Sequence, residues 1–482
     1  MSYMNLSIEE LHQLLVDGKV TPKELAFEAI ERAKKYQPSL NAFVSINELE
    51  NLNLESFDPN NPLSGIPFTI KDNYSTKGIR STASSNILEN YVPVFDATVV
   101  EKLNKAGAIN IGKTSMDELA LGGTGLNPAT GKVNNPYCLE RLSGGSSAGS
   151  AVSVSAGIVP FSIGSDTGDS VRKPAAYNGI VGFKPTWGRI SRFGLFPFAC
   201  SLDHVAYFTR NVKDAAYVLE NLAGYDAKDM SSSSKNVPNY SKDLKLGLKG
   251  KRIAVVKEIN DSLSDPKVKE NLNTVIEKLK SEGAIINEVS IDIRLLRAIL
   301  PVYLVISCSE ATSNDANLDG IKFGPREEGS TYVESIINTR TKRFSELVKR
   351  RFIIGSYCLS AANQEKLFIR AQKVRRMICD AVDKILENSD TILFPASGTI
   401  SPKANDNSGE KLSSNYLIGE NHLAIGNFGG YPSITIPSGF VDGMPVGINI
   451  TGKLFDEQEV LDTAASIEET LGLKNLVAKE YE

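Results

Sequence analysis

Between Arg141 and Arg172 the chain reads RLSGGSSAGSAVSVSAGIVPFSIGSDTGDSVR, nine serines and six glycines in thirty-two residues. Two Gly-rich turns, SGGSS and SDTGDS, are separated by a small-residue helix over 147–156 and a strand from Val159 to Ile163. A helix between the turns argues against a flexible linker, and predicts serine hydroxyls brought together around a site. A lysine in an apolar strand upstream, Lys71 of GIPFTIKDN, supplies the basic group that a serine nucleophile needs. Function depends on whether these three places meet.

The rest of the chain reads as alternating helix and strand. Ser7-Ile8-Glu9-Glu10 is a capping box, in which the serine oxygen and the glutamate satisfy free backbone N–H groups. Thr21-Pro22-Lys23-Glu24 repeats it with proline at the first helical position, where no N–H is missed. PFTIK reads as a buried strand, and Asp96 is expected to cap a helix through Lys105, followed by a strand from Ala108 to Ile111. Further elements are expected at Arg252 to Val256, Pro266 to Ser281, Ala284 to Val289 and Glu365 to Glu387. Others follow at Thr391 to Phe394, Ser433 to Ile436, Val446 to Thr451 and Asp456 to Leu471. This is an α/β pattern, one large sheet with helices on both faces. The polar stretches 230–242 and 405–414 read as mobile surface loops. With no internal repeat, residues 1–482 are expected to form one domain, with 1–60 a helical segment packed on it.

Composition limits the partners. At 41% hydrophobic and 23% charged the chain is an ordinary globular sequence. A net charge of −4 gives this chain alone no strongly basic surface for nucleic acid. Five widely spaced cysteines fit reduced thiols in the cytosol and show no metal spacing. The N-terminus has no signal-peptide core, and no apolar run approaches the roughly 18 residues that span a bilayer. A cytoplasmic protein without a membrane partner and without a metal site is expected.

Two motifs compete with the serine–lysine reading. Gly107 to Thr114 fits the phosphate-loop pattern GxxxxGK[ST], yet a helix precedes it and its middle, AINI, is itself a good strand. Gly145 to Gly149 fits the GxSxG elbow, but the preceding CLERL is short and poorly apolar. Only His12, His204 and His422 are present, and none has a recognisable partner setting for a Ser-His-Asp triad. A lysine deprotonates serine near neutral pH only when its own pKa is lowered, and burial in an apolar strand does that. A second serine between them would relay the proton, and the turn over 167–170 would direct successive N–H groups at an oxyanion. The bland alternative for Lys71 is a strand-end lysine reaching water.

GIPFTIKDN, SGGSSAGS, GSDTGDSVRKPAAYNGIVGFKPT and GRISRFGL together resemble the amidase signature family. The spacing agrees, with 75 residues from Lys71 to Ser146 and 24 from there to Ser170. The resemblance implies the amidase signature fold, with Lys71 as base, Ser146 as relay on a cis peptide and Ser170 as nucleophile. It places the oxyanion at the backbone of Thr167, Gly168 and Asp169. MDELALGG, SRFGLFPFACSLDH and DGIKFG are most similar to the A subunits of glutamyl-tRNA(Gln) amidotransferases. That branch implies a glutaminase supplying ammonia for converting mischarged Glu-tRNA(Gln), with B and C subunits as partners. The tRNA would be held mainly by the partner, and ATP and magnesium would belong there, leaving this chain without a cofactor. A glutamine pocket is implied at Tyr303, Arg351 and Glu420, where a forked arginine suits a carboxylate and an acid an ammonium. The alternatives are a stand-alone amidase acting on a small amide, or a scaffold subunit with an altered site. The sequence departs from the family pattern at Asp169, Ala148, Glu420 and Tyr207-Phe208. Asp169 sets a carboxylate beside the nucleophile, and activity is expected to survive if that side chain points away.

Overall fold

The computed structural model describes residues 2–52, 54, 57–406 and 413–482. Of the expected loop 405–414, residues 407–412 therefore lie outside the described residues. Eleven strands form one sheet: β1 (Phe43–Ile46), β2 (Pro67–Lys71), β3 (Ile109–Thr114), β4 (Phe161–Asp166), β5 (Val181–Lys184), β6 (His204–Thr209), β7 (Arg252–Val256), β8 (Ile285–Val289), β9 (Thr391–Pro395), β10 (Ser433–Val441) and β11 (Met444–Gly452). Their order is β1-β3-β2-β4-β6-β5-β10-β11-β9-β7-β8. The pairs β2–β3, β2–β4, β9–β7 and β7–β8 are parallel and the others antiparallel, so the sheet is mixed.

Alternate residues of one strand feed two separate cores, because successive side chains leave opposite faces. In β7, Ile253 and Val255 join one hydrophobic cluster, and Ala254 and Val256 the other. In β9, Leu393 faces the first cluster while Ile392 and Phe394 face the second. Helices therefore cover both faces of this half of the sheet. Those relevant to the site are α1 (Ile8–Val16), α2 (Pro22–Leu40), α3 (Thr98–Lys105), α4 (Ala148–Ser155), α5 (Arg172–Tyr177), α6 (Ile299–Asn314), α7 (Glu346–Leu359) and α8 (Arg370–Asn388).

Both expected capping boxes are formed, at Ser7 with Glu10 and at Thr21 with Glu24. The N-terminal segment is tied down by Arg210, whose Nη2 donates to the carbonyls of Met4 and Leu6 at 2.7 Å each. Asp96 does not cap α3. Ala97 is the cap, and the Asp96 carboxylate instead accepts the Lys77 backbone N–H at 2.7 Å. Most of the Gly107 to Thr114 motif is strand rather than phosphate loop: β3 starts at Ile109, runs to Thr114 and buries Lys113 against the Tyr74 carbonyl, Thr76 and Ser81. Between 230 and 242 no helix or strand forms, and Tyr240 is buried there with its hydroxyl accepting from Arg189.

Most serines of the 141–172 run serve packing. On α4 and its cap, Ser147, Ser150 and Ser153 recur every three residues and face the sheet. Ser147 donates to the Ser165 carbonyl at 3.0 Å, Ser150 to the Ile163 carbonyl at 2.9 Å, and Ser153 lies 3.0 Å from Thr69. Small hydroxyl side chains let the helix lie close on the strands while these three serines each find a partner. That contact seats the SGGSS turn over the end of β2.

Candidate active site

Lys71 closes β2, and its side chain is fully buried. Its Nζ lies 2.7 Å from the Ser146 Oγ, 2.9 Å from the Ser147 Oγ and 2.9 Å from the Ser165 Oγ. The Gly145–Ser146 peptide is cis. Burial pulls the Lys71 ammonium down to about 7, against the carboxylates of Asp117, Asp166 and Asp203, which hold it up. The bland alternative of a lysine reaching water is thus excluded by its surroundings. Parallel pairing of β2 with β4 sets Ile70 opposite Ile163, so both chains leave the sheet side by side at their carboxyl ends.

The second turn follows β4. Ser170 is 4% exposed, and its carbonyl accepts the Ser147 N–H at 3.3 Å, which ties the two turns together. No hydrogen bond joins the Ser146 and Ser170 hydroxyls among the described residues. The backbone N–H groups of 167–170 likewise donate to no partner among the described residues. Their orientation is fixed from below by Asp166, whose Oδ2 accepts the Val171 N–H at 2.9 Å. Asp166 also pairs with Arg172 at 2.9 Å, both side chains fully buried, and accepts from Asn427 at 3.0 Å. Burial alone would raise the Asp166 carboxyl, but the Arg172 guanidinium overrides it and holds it well below the usual carboxylate range. Thr167 is anchored separately, donating to Asp203 at 2.7 Å.

Tyr303, on α6, lies against this turn. A Cβ placed on Gly168 would sit 2.9 Å from its ring, so only glycine allows that approach. Arg351, on α7, acts on the Tyr303 phenol and the Cys308 thiol, and its Nη1 is buried without a partner among the described residues. Glu420 lies 3.6 Å from Lys173, with Thr399 donating to it at 3.4 Å. The Asp169 side chain turns to Lys173 at 3.1 Å. Of the nine residues singled out in the sequence, seven lie on or against the two turns, Glu420 is joined to them through Lys173, and Arg351 neighbours Tyr303.

The histidines stand apart from this chemistry. His204 contacts the Leu202 carbonyl at 2.6 Å, and His422 the carbonyls of Pro395 and Ile418 at 2.7 and 3.1 Å. Burial lowers both, His422 to about 4, so they are neutral structural groups. Sequence reasoning missed Ser147 and Ser165 as lysine partners, Asp166, Arg172 and Asn427 as the frame of the turn, and Lys173. The GSDTGDSVRKP stretch contained most of them, but which side chains fold under the turn follows from contacts with Asn427, 261 residues away.

Comparison with known proteins settles the lineage. The amidase family model matches residues 24–461. The chain belongs to the amidase family. It is 42% identical to the A subunit of the Lactobacillus johnsonii glutamyl-tRNA(Gln) amidotransferase, over 97% of each chain. The crystal structure of the corresponding A subunit from Thermotoga maritima superposes with a TM-score of 0.82 at 36% identity, over 97% of this chain and 95% of that one. A peptide amidase from Stenotrophomonas maltophilia superposes with a TM-score of 0.81 at 25% identity, over 97% of each chain. The fold is thus shared by an amidotransferase A subunit and a peptide amidase, so fold alone does not set the substrate.

Proposed function

We propose that this chain is the glutaminase subunit of a tRNA-dependent amidotransferase, releasing ammonia for the conversion of Glu-tRNA(Gln) to Gln-tRNA(Gln). The observation that carries the reading is the match to A subunits at 42% identity over nearly the whole of both chains. Neutral Lys71 takes the Ser146 proton, Ser146 takes that of Ser170, and the Ser170 oxygen attacks the side-chain amide carbon of glutamine. The N–H groups of Thr167, Gly168 and Asp169 receive the developing oxyanion. The relayed proton passes to the leaving nitrogen, ammonia departs, and a γ-glutamyl ester remains on Ser170. Water, deprotonated along the same relay, then releases glutamate. The free Nη1 of Arg351 suits the substrate α-carboxylate, Glu420 the α-ammonium, and Tyr303 closes the pocket over Gly168.

B and C subunits are the partners in this reading, the mischarged tRNA is held mainly by them, and the assembly is cytoplasmic. ATP and magnesium, which activate the tRNA-borne carboxylate, are assigned to the partner subunit. Among the described residues of this chain no cluster of three or more His, Cys, Asp or Glu side chains suits a metal, and no helix is long and apolar enough to cross a membrane. The test is ammonia release from glutamine by the chain alone, with its partners, and with mischarged tRNA added. Release that rises with the partners and disappears in Ser170→Ala is expected. An unchanged rate in Ser170→Ala would sink the assignment, and full activity on small amides without partners would favour the stand-alone amidase.

A further inference from the structure

Asp169 is the one residue of the nucleophile turn that brings a negative charge next to Ser170, and the structure gives that charge a dedicated partner. The Lys173 N–H donates to the Asp169 carbonyl at 2.9 Å, one helical turn at the start of α5. That spacing puts both side chains on one face, where Lys173 Nζ lies 3.1 Å from the Asp169 Oδ2 and 3.6 Å from the Glu420 Oε2. The same Nζ donates to the Glu420 backbone carbonyl. The Lys173 side chain is 12% exposed, against 25% and 18% for the two acids, so the ammonium sits between them with little water. Two acids thus share one ammonium.

We propose that Lys173 is a positioning residue that neutralises Asp169 and ties it to Glu420, which lets the turn stabilise an oxyanion despite the carboxylate beside the nucleophile. The inference rests on the glutaminase reading above and assigns a specificity determinant within it. Burial works against the Lys173 charge, and the two acids outweigh it, holding the ammonium above its usual range. Without Lys173, the Asp169 carboxylate would oppose the oxyanion forming at its own backbone N–H. A partly buried unit charge at such range is worth roughly 10- to 100-fold in rate. Glu420, whose carboxyl burial raises against the pull of Lys173, is the acid that the substrate α-ammonium meets in that reading.

A double-mutant cycle separates this from a merely structural ion pair. The full chain assembled with its partners is compared as wild type, Lys173→Gln, Asp169→Asn and the double variant, for kcat and KM on glutamine. Lys173→Gln is expected to lower kcat by about 10- to 100-fold when aspartate stands at 169, and by less than about threefold when asparagine does. Equal losses in both backgrounds would overturn the proposal. Lys173→Arg keeps the charge and should stay within about threefold of wild type; a loss as large as that of Lys173→Gln would contradict it. The rate of covalent labelling of Ser170 by a serine-directed fluorophosphonate gives the same comparison without glutamine. A wild type that labels but releases no ammonia from glutamine would sink the glutaminase reading, while the labelling rates alone would still decide the role of Lys173.

Discussion

In the proposed mechanism Lys71 is the base, and its burial makes a definite statement about pH. Only the neutral amine accepts a proton, and burial brings the ammonium down to about 7. kcat/KM is therefore expected to rise about tenfold per pH unit below 7 and to level off above it. A profile flat from pH 6 to 9 would show that Lys71 is not the titrating base. Lys71→Met should lower kcat by about 10²- to 10⁴-fold with a smaller change in KM, since the side chain touches serines rather than substrate. The burial of Lys71 was legible in PFTIK, because an apolar strand bounded by glycine and Asp-Asn announces it. Ser165 was not legible as a partner, since its approach to Lys71 depends on strands β2 and β4 pairing across 94 residues.

Among the elements, the turn between β4 and α5 is held by the buried Asp166–Arg172 pair rather than by its own glycine. Removing one partner of such a pair leaves an uncompensated buried charge, costing about 3–5 kcal/mol. Arg172→Met should lower the melting temperature markedly and abolish activity together, and an unaltered melting temperature would contradict the frame described. By comparison Thr21→Ala, which removes a formed capping box at an exposed helix start, should cost only about 0.5–2 kcal/mol without touching kcat. Helices with clear punctuation, such as Pro266–Ser281 with proline in its first turn, were read correctly from sequence. The helix Ile299–Asn314, which carries Tyr303, was not placed, because ILPVYLVISCSEATSN lacks a sustained polar face and holds a proline near its start. Asp96 misled for a related reason: an acid before a helix is a good cap, but here its carboxylate is taken by the Lys77 N–H.

For the molecule as a whole, alternating helix and strand announced one large α/β sheet with helices on both faces, and the structure has such a sheet, with parallel and antiparallel pairs mixed. Its strand order was not accessible, because β2 lies between β3 and β4 and is fixed by pairings that span 42 to 93 residues. Those pairings deliver the lysine from one segment and both serine turns from another to one edge, so the site is a product of the topology. The reading makes Ser170, alone among the nine serines of the opening run, the atom that carries the substrate. Acid quenching during steady-state glutamine turnover by the assembled complex, followed by peptide mass spectrometry, tests that directly. A γ-glutamyl adduct on the peptide containing Ser170, absent from Ser170→Ala, is the expected result, and an adduct on Ser146 or Ser147 instead would contradict the account.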